Sequence, residues 1–292
     1  MASTLKKLVS DEGRYLKSFQ LFLDNSSEHQ CMQEFVHGTL PDILARIGDG
    51  KSSVNVLGVG SGGGKIDLQM LSQLQKKYPG ISVNNEVVEP CAEMIDAYKE
   101  LVSKTPNLEN TKFTWHKMTS SDYEHHRTEK NITTKMDFIH MIQMLYYVSD
   151  PSATVKFFRS LLSRTGKLLI ILVSGTSGWA KLWNTYKDEL CDTNLSQCIT
   201  TQEIKEYLDA KGIKYQNYEL PSSMDITKCF TEGDENGELL LDFLTEICDF
   251  SKTAPKDLKA AVMDLLRHPE CSKEIDGRII FNNTLGALVL EP

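Results

Sequence analysis

Hydrophobic and polar positions along the first half of the chain predict strands and helices in alternation. Residues 54–59 form a short apolar run that leads into glycines, and residues 65–77 carry apolar side chains at Ile66, Met70 and Leu74. Steps of three and four residues are typical of one face of a helix. The pattern therefore predicts a strand, a glycine turn and a helix in this stretch.

The alternation continues toward the middle of the chain. Further strands are predicted at residues 81–88, 111–116, 136–141 and 167–173, with helices at 92–102 and 152–162. The last of these strands is apolar throughout, as expected for a strand buried on both faces. Such alternation is typical of parallel strands joined by right-handed crossovers, so the predicted fold class is α/β.

The two ends of the chain follow this pattern less closely. After residue 174 we predict helices at 179–190, 201–210, 238–248 and 255–267, strands at 214–220, 278–282 and 285–290, and a loop at 231–237. A helix at 13–23 places Tyr15, Phe19 and Phe22 on one side. We interpret residues 1–46 as a helical cap and residues 47–292 as the main domain, with substrate-binding insertions at about 175–275.

Charge narrows the class of partner. The 292 residues include 32 basic and 40 acidic side chains, a formal net charge of −8. Affinity for nucleic acid comes from clustered Lys and Arg, so a small or cationic partner is favoured over DNA or RNA. The longest apolar run, at 168–173, is far shorter than the roughly 20 residues of a membrane span, and no export signal is apparent.

The cysteines give no sign of a metal centre. Seven cysteines are scattered along the chain, and none of them forms a CxxC pair. The expectation is therefore reduced thiols in a cytoplasmic protein with no metal site.

The strongest chemical signal is the glycine turn Val59-Gly60-Ser61-Gly62-Gly63-Gly64 between the first strand and its helix. Glycines allow a sharp turn and a close approach of a ligand to free backbone N–H groups at the helix start. The same turn also serves dinucleotides. A nucleoside triphosphatase is disfavoured, because Ile66 stands where a phosphate loop needs Ser or Thr after Lys65.

A second signal is Glu89, directly after the second strand. An acid at this strand end can accept hydrogen bonds from both ribose hydroxyls of an adenosine. The alternative is a Glu that favours the start of the next helix. The glycine turn and Glu89 together point to an adenosine-containing cofactor.

With these residues in place, the chain resembles the class I methyltransferases that use S-adenosylmethionine, a Rossmann-like family with a mostly parallel seven-stranded sheet. It is similar in particular to the branch of that family that methylates histamine. The matching strings are residues 28–35, 84–90, 137–148, 177–183, 236–246 and 281–285. Since they run from near the first residue to the last strand, the resemblance covers essentially the whole chain.

The resemblance implies roles for particular residues. It implies that Gly60, Glu89, Ser120 and Ile142 bind S-adenosylmethionine. Met94 stands where the family has a cofactor-contacting Gln, so that contact is lost or replaced. Within the turn, Ser61 and Lys65 replace smaller or acidic residues, and neither change blocks a site built from backbone groups.

The resemblance also implies that Glu28, Gln143 and Asn283 hold the amine substrate and support the transfer. Histamine has a charged ammonium arm and a mostly neutral imidazole, so its site needs one anion and a few neutral hydrogen-bonding groups. Glu28 can be the anion and favour the developing imidazolium, while the two amides orient the ring. Aromatic side chains could form the walls of the site. They are Tyr15, Phe19, Phe22, Tyr146, Tyr147, Trp179, Trp183 and Phe243.

Two other functions stay open from the residues alone. A dehydrogenase could use the glycine turn for NAD, but it predicts a second βαβαβ half that the last third of the chain does not suggest. A catalytically inactive methyltransferase-like binding protein is favoured only by Met94. For an active transferase with a capped small-molecule site we expect a monomer.

Overall fold

The structure is a computed structural model, and it describes residues 5–191 and 197–292. The chain divides into two compact units. Unit 1 comprises Met1–Met32, Val173–Gln202 and Glu219–Gly286, and unit 2 comprises Gln33–Leu172, Glu203–Tyr218 and Ala287–Pro292. The division of the chain into a cap over residues 1–46 and a main domain over 47–292 stays a prediction.

The strands occur in two sheets. In chain order they are β1 (Ser53–Val59), β2 (Ser82–Val88), β3 (Thr111–His116), β4 (Met136–Ile142), β5 (Leu162–Val173), β6 (Tyr215–Leu220), β7 (Ser223–Asp225), β8 (Ser272–Ile275), β9 (Arg278–Asn282) and β10 (Leu285–Leu290).

Helices fill most of the remaining described chain. They are α1 (Glu12–Asn25), α2 (Glu28–Glu34), α3 (Leu40–Ile43), α4 (Lys65–Lys77), α5 (Ala92–Lys104), α6 (Ser120–Glu129), α7 (Pro151–Ser160), α8 (Gly178–Thr185), α9 (Lys187–Leu190), α10 (Thr201–Ala210), α11 (Glu235–Thr245), α12 (Phe250–Thr253) and α13 (Lys256–Arg267).

The main sheet has seven strands in the order β3-β2-β1-β4-β5-β10-β6. Strand β1 pairs in parallel with β2 and β4, and parallel pairs also join β2 to β3 and β4 to β5. The register places Val59 opposite both Val88 and Met141, so β1, β2 and β4 end side by side. The predicted α/β fold with a mostly parallel seven-stranded sheet is confirmed.

Burial explains the continuous apolar strands. Every residue of β4 except the last is buried, and so are the final six residues of β5. Both strands lie inside the sheet and are covered on two faces, which is why their sequences do not alternate between apolar and polar.

The small sheet in unit 1 differs from the prediction. Strands β7, β9 and β8 form a three-stranded sheet in which β9 pairs antiparallel with both neighbours. The predicted strand at 278–282 is therefore β9 of this separate sheet. Strands β7 and β8 have only three and four residues, too few to show a hydrophobic period.

Two helices also depart from the pattern. The predicted helix at 179–190 is divided into α8 and α9 at Tyr186. Helix α6 was not predicted, because its sequence is almost entirely polar and only Tyr123 and Arg127 are buried.

The cysteine prediction is wrong for one pair. A disulfide joins Cys191 to Cys198, whose Cα atoms are 5.9 Å apart, a separation that the bond requires. A search for CxxC pairs does not detect a bridge that closes a seven-residue separation. Within the described ranges, no three His, Cys, Asp or Glu side chains come together as metal ligands. No helix in those ranges is long and apolar enough to span a membrane.

Candidate active site

The glycine turn of unit 2 has a backbone conformation that requires glycine. Gly60 has φ 69° and Gly64 has φ 77°, in the left-handed region. A Cβ at Gly60 would lie 2.6 Å from Cβ of Met144, so this position also has no room for a side chain. The Gly60 N–H donates to the carbonyl of Val88 at 2.8 Å, which anchors the turn to the end of β2.

The outer part of the turn is open. A Cβ built at Gly62 or Gly63 would meet no described atom within 4 Å, so a ligand can approach the backbone there. The buried carboxylate of Glu89 accepts the N–H of Gly62 and the N–H of Cys91, each at 2.9 Å. A carboxylate has about four acceptor positions, so Glu89 can also accept from ribose hydroxyls. These residues fit the adenosine part of S-adenosylmethionine.

The other two predicted cofactor residues lie at neighbouring strand ends. Ser120 is the first residue of α6, where Thr119 and Asp122 form a reciprocal capping box. Ile142 is the last residue of β4 and is half-buried. Together with Gly60 and Glu89, they lie at or just after the carboxyl ends of adjacent strands, where open α/β sheets bind ligands. Met94, on α5, has 43% of its surface exposed.

Gln143, directly after β4, has an unusual backbone. Its φ of 53° is in the left-handed region, which is uncommon for a residue other than glycine. The Gln143 N–H donates to the carbonyl of Ile171 at 2.9 Å, and the Tyr146 hydroxyl donates to Oε1 of Gln143 at 2.6 Å. The first bond anchors the Gln143 backbone to β5, and the second orients its side-chain amide. Tyr147 follows with 59% exposure.

Unit 1 brings six of the eight predicted aromatic residues into one cluster. The rings of Phe22 and Phe243 are stacked with centroids 4.8 Å apart, and Trp179 lies 5.8 Å from Phe22. The other contacts have centroid distances of 6.0–6.4 Å, from Tyr15 and Phe19 to Phe243 and from Trp179 to Trp183. Phe281 joins the cluster edge-to-face with Trp179 at 5.4 Å, and sequence reasoning missed it.

An ion pair holds the helices of this aromatic cluster together. Nε of Arg14, on α1, lies 2.5 Å from Oδ2 of Asp242, on α11. The Asp242 carboxylate also accepts the N–H groups of Asp249 and Phe250. Burial raises the pKa of Asp242, while Arg14 and the two N–H groups oppose that rise. The sequence contained no signal for this pair, because its members are 228 residues apart.

Glu28 and Asn283 are held near the start of β7 by backbone hydrogen bonds, made by the preceding residue Ser27 in one case and by Asn283 itself in the other. The N–H of Ser27 donates to the carbonyl of Ser223 at 2.8 Å, and the N–H of Asn283 donates to that of Ser222 at 3.2 Å. Glu28 follows Ser27 and begins α2 with its side chain half-buried. The structure thus anchors the predicted anion and one predicted amide to consecutive residues of unit 1.

Asn283 has an unusual environment for an amide. Its side chain is fully buried, and among the described residues neither Nδ2 nor Oδ1 has a hydrogen-bond partner. A buried polar group without a partner is costly, and folded proteins retain few of them. The neighbouring Asn282 differs, because it donates to Thr176 and accepts from Thr284. Asn283 therefore has the properties of a ligand-binding group.

The order of the main sheet defines the class of protein. In a dinucleotide-binding fold the neighbour of β5 in the sheet would be β6. Here β10 lies between β5 and β6 in the sheet. The second half that the NAD alternative requires is therefore not formed. The parallel sheet, the glycine turn and the acid after β2 define a class I methyltransferase, a class that depends on S-adenosylmethionine.

Comparison with known proteins agrees with this class and narrows it. Residues 32–217 match the model of the methyltransferase domain family. Histamine N-methyltransferase of Danio rerio is 64% identical over 292 residues, which cover 100% of both chains. Its counterpart in Mus musculus is 57% identical over 100% of this chain and 99% of that one. The chain belongs to the histamine N-methyltransferase family.

Solved structures with little sequence identity share the fold. The YcgJ protein of Bacillus subtilis has a TM-score of 0.50 at 14% identity, with 88% of this chain and 100% of that chain covered. The BH2331 protein of Bacillus halodurans has a TM-score of 0.51 at 12% identity, with coverages of 86% and 97%. At such identity the likeness supports the fold alone.

Proposed function

We propose that this protein transfers the methyl group of S-adenosylmethionine to a ring nitrogen of histamine, giving N-methylhistamine and S-adenosylhomocysteine. The observation that carries the proposal is the full-length identity of 64% to a histamine N-methyltransferase. The fully buried amide of Asn283, which has no hydrogen-bond partner among residues 5–191 and 197–292, supports it, because such a group suits a substrate that brings its own hydrogen-bonding atoms.

Cofactor binding is assigned to the strand ends of unit 2. The open backbone at Gly62 and the carboxylate of Glu89 suit the adenosine, and Gly60, Ser120 and Ile142 lie at or just after the ends of adjacent strands. When bound, S-adenosylmethionine supplies an electrophilic methyl group on a positively charged sulfur. Since backbone groups form much of this site, the replacement of a Gln by Met94 leaves it functional.

Three side chains are assigned to the amine. Glu28 attracts the ammonium arm or the developing imidazolium, and Asn283 and Gln143 hold the ring by hydrogen bonds. A neutral imidazole nitrogen is already nucleophilic, so these residues act chiefly by orientation. The hydrogen bond from Tyr146 serves this purpose by fixing the Gln143 amide before substrate arrives. The six clustered aromatic residues of unit 1 supply flat apolar surfaces.

Glu28→Gln tests the substrate assignment. The variant keeps the shape of the side chain but removes its charge. We expect the KM for histamine to rise about tenfold or more, as for the loss of a charged hydrogen bond, while the KM for S-adenosylmethionine changes little. Glu12→Gln, at an exposed position on α1, is the matched control. Equal changes in both KM values would remove Glu28 from the substrate site.

We further propose that the enzyme works as a cytoplasmic monomer without nucleic acid or membrane partners. The net charge of −8 supports this, because it is unsuited to nucleic acid and to anionic lipid. Light scattering after gel filtration should give the mass of a single chain at micromolar concentration. A dimer mass, or retention on vesicles containing anionic lipid, would contradict this part of the proposal.

A further inference from the structure

A cluster of buried polar side chains lies against β1 beneath the glycine turn, in unit 2. Gly58 is within β1, and a Cβ there would lie 2.3 Å from Oγ of Ser61, 2.6 Å from Oδ2 of Asp67 and 2.7 Å from Cε1 of His140. The three side chains therefore converge on one point of the strand. They come from the turn, from the first turn of α4 and from β4.

These groups are deeply buried and poorly satisfied. Asp67 is 4% exposed and His140 2%. Oγ of Ser61 and Oδ2 of Asp67 have no hydrogen-bond partner in the described part of the chain. Nε2 of His140 lies 3.8 Å from that Oδ2, close enough for an ion pair but too far for a hydrogen bond. Asp67 and His140 are thus neighbouring acid and base side chains with no hydrogen bond between these two atoms.

The cluster extends to Tyr98 on α5, which packs against the glycine turn. The ring of Tyr98 occupies the space of a Cβ at Gly64, with its nearest atom 2.1 Å from that position. Its hydroxyl and the side-chain amide of Asn85 are buried, and neither makes a hydrogen bond of good geometry among the described residues, although the hydroxyl lies near enough to Asp67 and Asn85 to interact with both. Burial and the charge of Asp67 raise the pKa of Tyr98, so the hydroxyl stays protonated at neutral pH.

Asp67 connects His140 to the cofactor turn, because it belongs to the helix that begins directly after Gly64. We propose that Asp67 and His140 are positioning residues for the cofactor turn, and that uptake of a proton by His140 draws Asp67 toward it and weakens cofactor binding. Asp67 is in the first turn of α4, and the residue that caps this helix is Gly64 of the turn. A move of Oδ2 from 3.8 Å to a charged hydrogen bond of about 2.8 Å would shift α4 and Ser61.

The groups that face His140 allow this proton uptake only below neutral pH. Asp67 is the charged group that acts on the imidazole, and Tyr98 is the other titratable member of the cluster. Burial lowers the pKa of His140 below its usual 6.5, and the charge of Asp67 partly opposes that fall. His140 is therefore neutral at pH 7.5, and it takes up a proton only at a pH below the ordinary imidazole range.

Binding of S-adenosylhomocysteine, measured by titration calorimetry from pH 5.5 to pH 7.5, tests the inference without turnover. For the wild type we expect Kd to rise toward the low end, by at most about tenfold per pH unit because one proton is linked. His140→Gln should give a Kd that varies less than about twofold. Asp67→Asn should also be flat over this range, because without the carboxylate His140 protonates at still lower pH.

Two other histidine variants separate this cluster from other sources of pH dependence. His125→Gln, at an exposed position on α6, should retain the wild-type profile. His116→Gln should retain it as well, although His116 is bonded to Glu86. A flat wild-type profile would overturn the proposal, and so would a His140→Gln curve parallel to the wild type or a loss of pH dependence in His116→Gln. The test uses the cofactor product alone, so its failure would leave the histamine assignment unaffected.

Discussion

Asn283 offers a test in which stability and activity should change in opposite directions. Its side chain is 0% exposed, and Nδ2 and Oδ1 have no partner among the described residues. Replacement by Leu, which has nearly the same shape, removes two polar atoms that the fold pays to bury. A buried group without a hydrogen bond costs about 1–3 kcal/mol, so Asn283→Leu should raise the free energy of unfolding by about that amount.

The same substitution should impair the substrate site. Loss of one or two neutral hydrogen bonds costs about 0.5–1.5 kcal/mol each, which corresponds to a rise in the KM for histamine of roughly two- to a hundredfold. Affinity for S-adenosylhomocysteine should be unchanged. If the amide binds a ligand, Asn283→Leu should give a more stable protein with a higher KM for histamine. If the amide supports the fold, the same substitution should lower both stability and activity.

The assays are thermal unfolding without ligand and initial rates with varied histamine. Asn282→Leu is the matched control, because the neighbouring amide has two hydrogen bonds to the backbone. We expect this control to lower the unfolding midpoint. If Asn283→Leu lowers the midpoint as much as the control does, the amide is structural and the reasoning from its missing partners is refuted.

Three further predictions concern other parts of the molecule. Glu89→Gln should weaken S-adenosylhomocysteine binding about tenfold or more, because the amide group cannot accept both backbone N–H bonds and the ribose hydroxyls. Calorimetry measures the Kd, with Glu100→Gln on the exposed side of α5 as the control. An unchanged Kd would remove Glu89 from the ribose site. Asp242→Asn should raise the KM for histamine and lower the unfolding temperature, because Arg14 loses the nearer of its two charged partners among the described residues, keeps only Asp249 at 3.3 Å, and α1 is held less firmly. A normal unfolding temperature would show that the pair with Asp242 does not hold the helices. Titration of the denatured protein with a thiol reagent should give five thiols after preparation without reductant and seven after reduction. Seven thiols in both samples would show that Cys191 and Cys198 are not bonded.

Much of the fold could be predicted because burial leaves a mark on the sequence. The apolar strands around β4 and β5 and the amphipathic helices between them follow directly from which faces are covered. Helix α6 and strands β7 and β8 could not be found in this way. One is polar along nearly its whole length, and the other two are too short to show a period.

The parts of the candidate site that are formed by residues close together in the sequence could be predicted. The glycine turn and Glu89 are visible as local motifs, and the resemblance to known methyltransferases supplied Glu28, Gln143 and Asn283. The cluster of Ser61, Asp67 and His140 could not be predicted from the sequence. Three separate elements bring these side chains together in the space that a side chain at Gly58 would fill. Contacts of this kind are determined by packing, for which a single sequence provides no pattern.

The most direct test of the proposed function is transfer of a labelled methyl group from S-adenosylmethionine to histamine by the purified protein. Parallel reactions should contain imidazole compounds without the amine arm and primary amines without the ring. We predict that label enters histamine on a ring nitrogen, that the ring-free amines stay unlabelled and that Glu28→Gln reduces the rate. Folded protein that binds S-adenosylhomocysteine but transfers no label to histamine, or that labels ring-free amines equally well, would contradict the account.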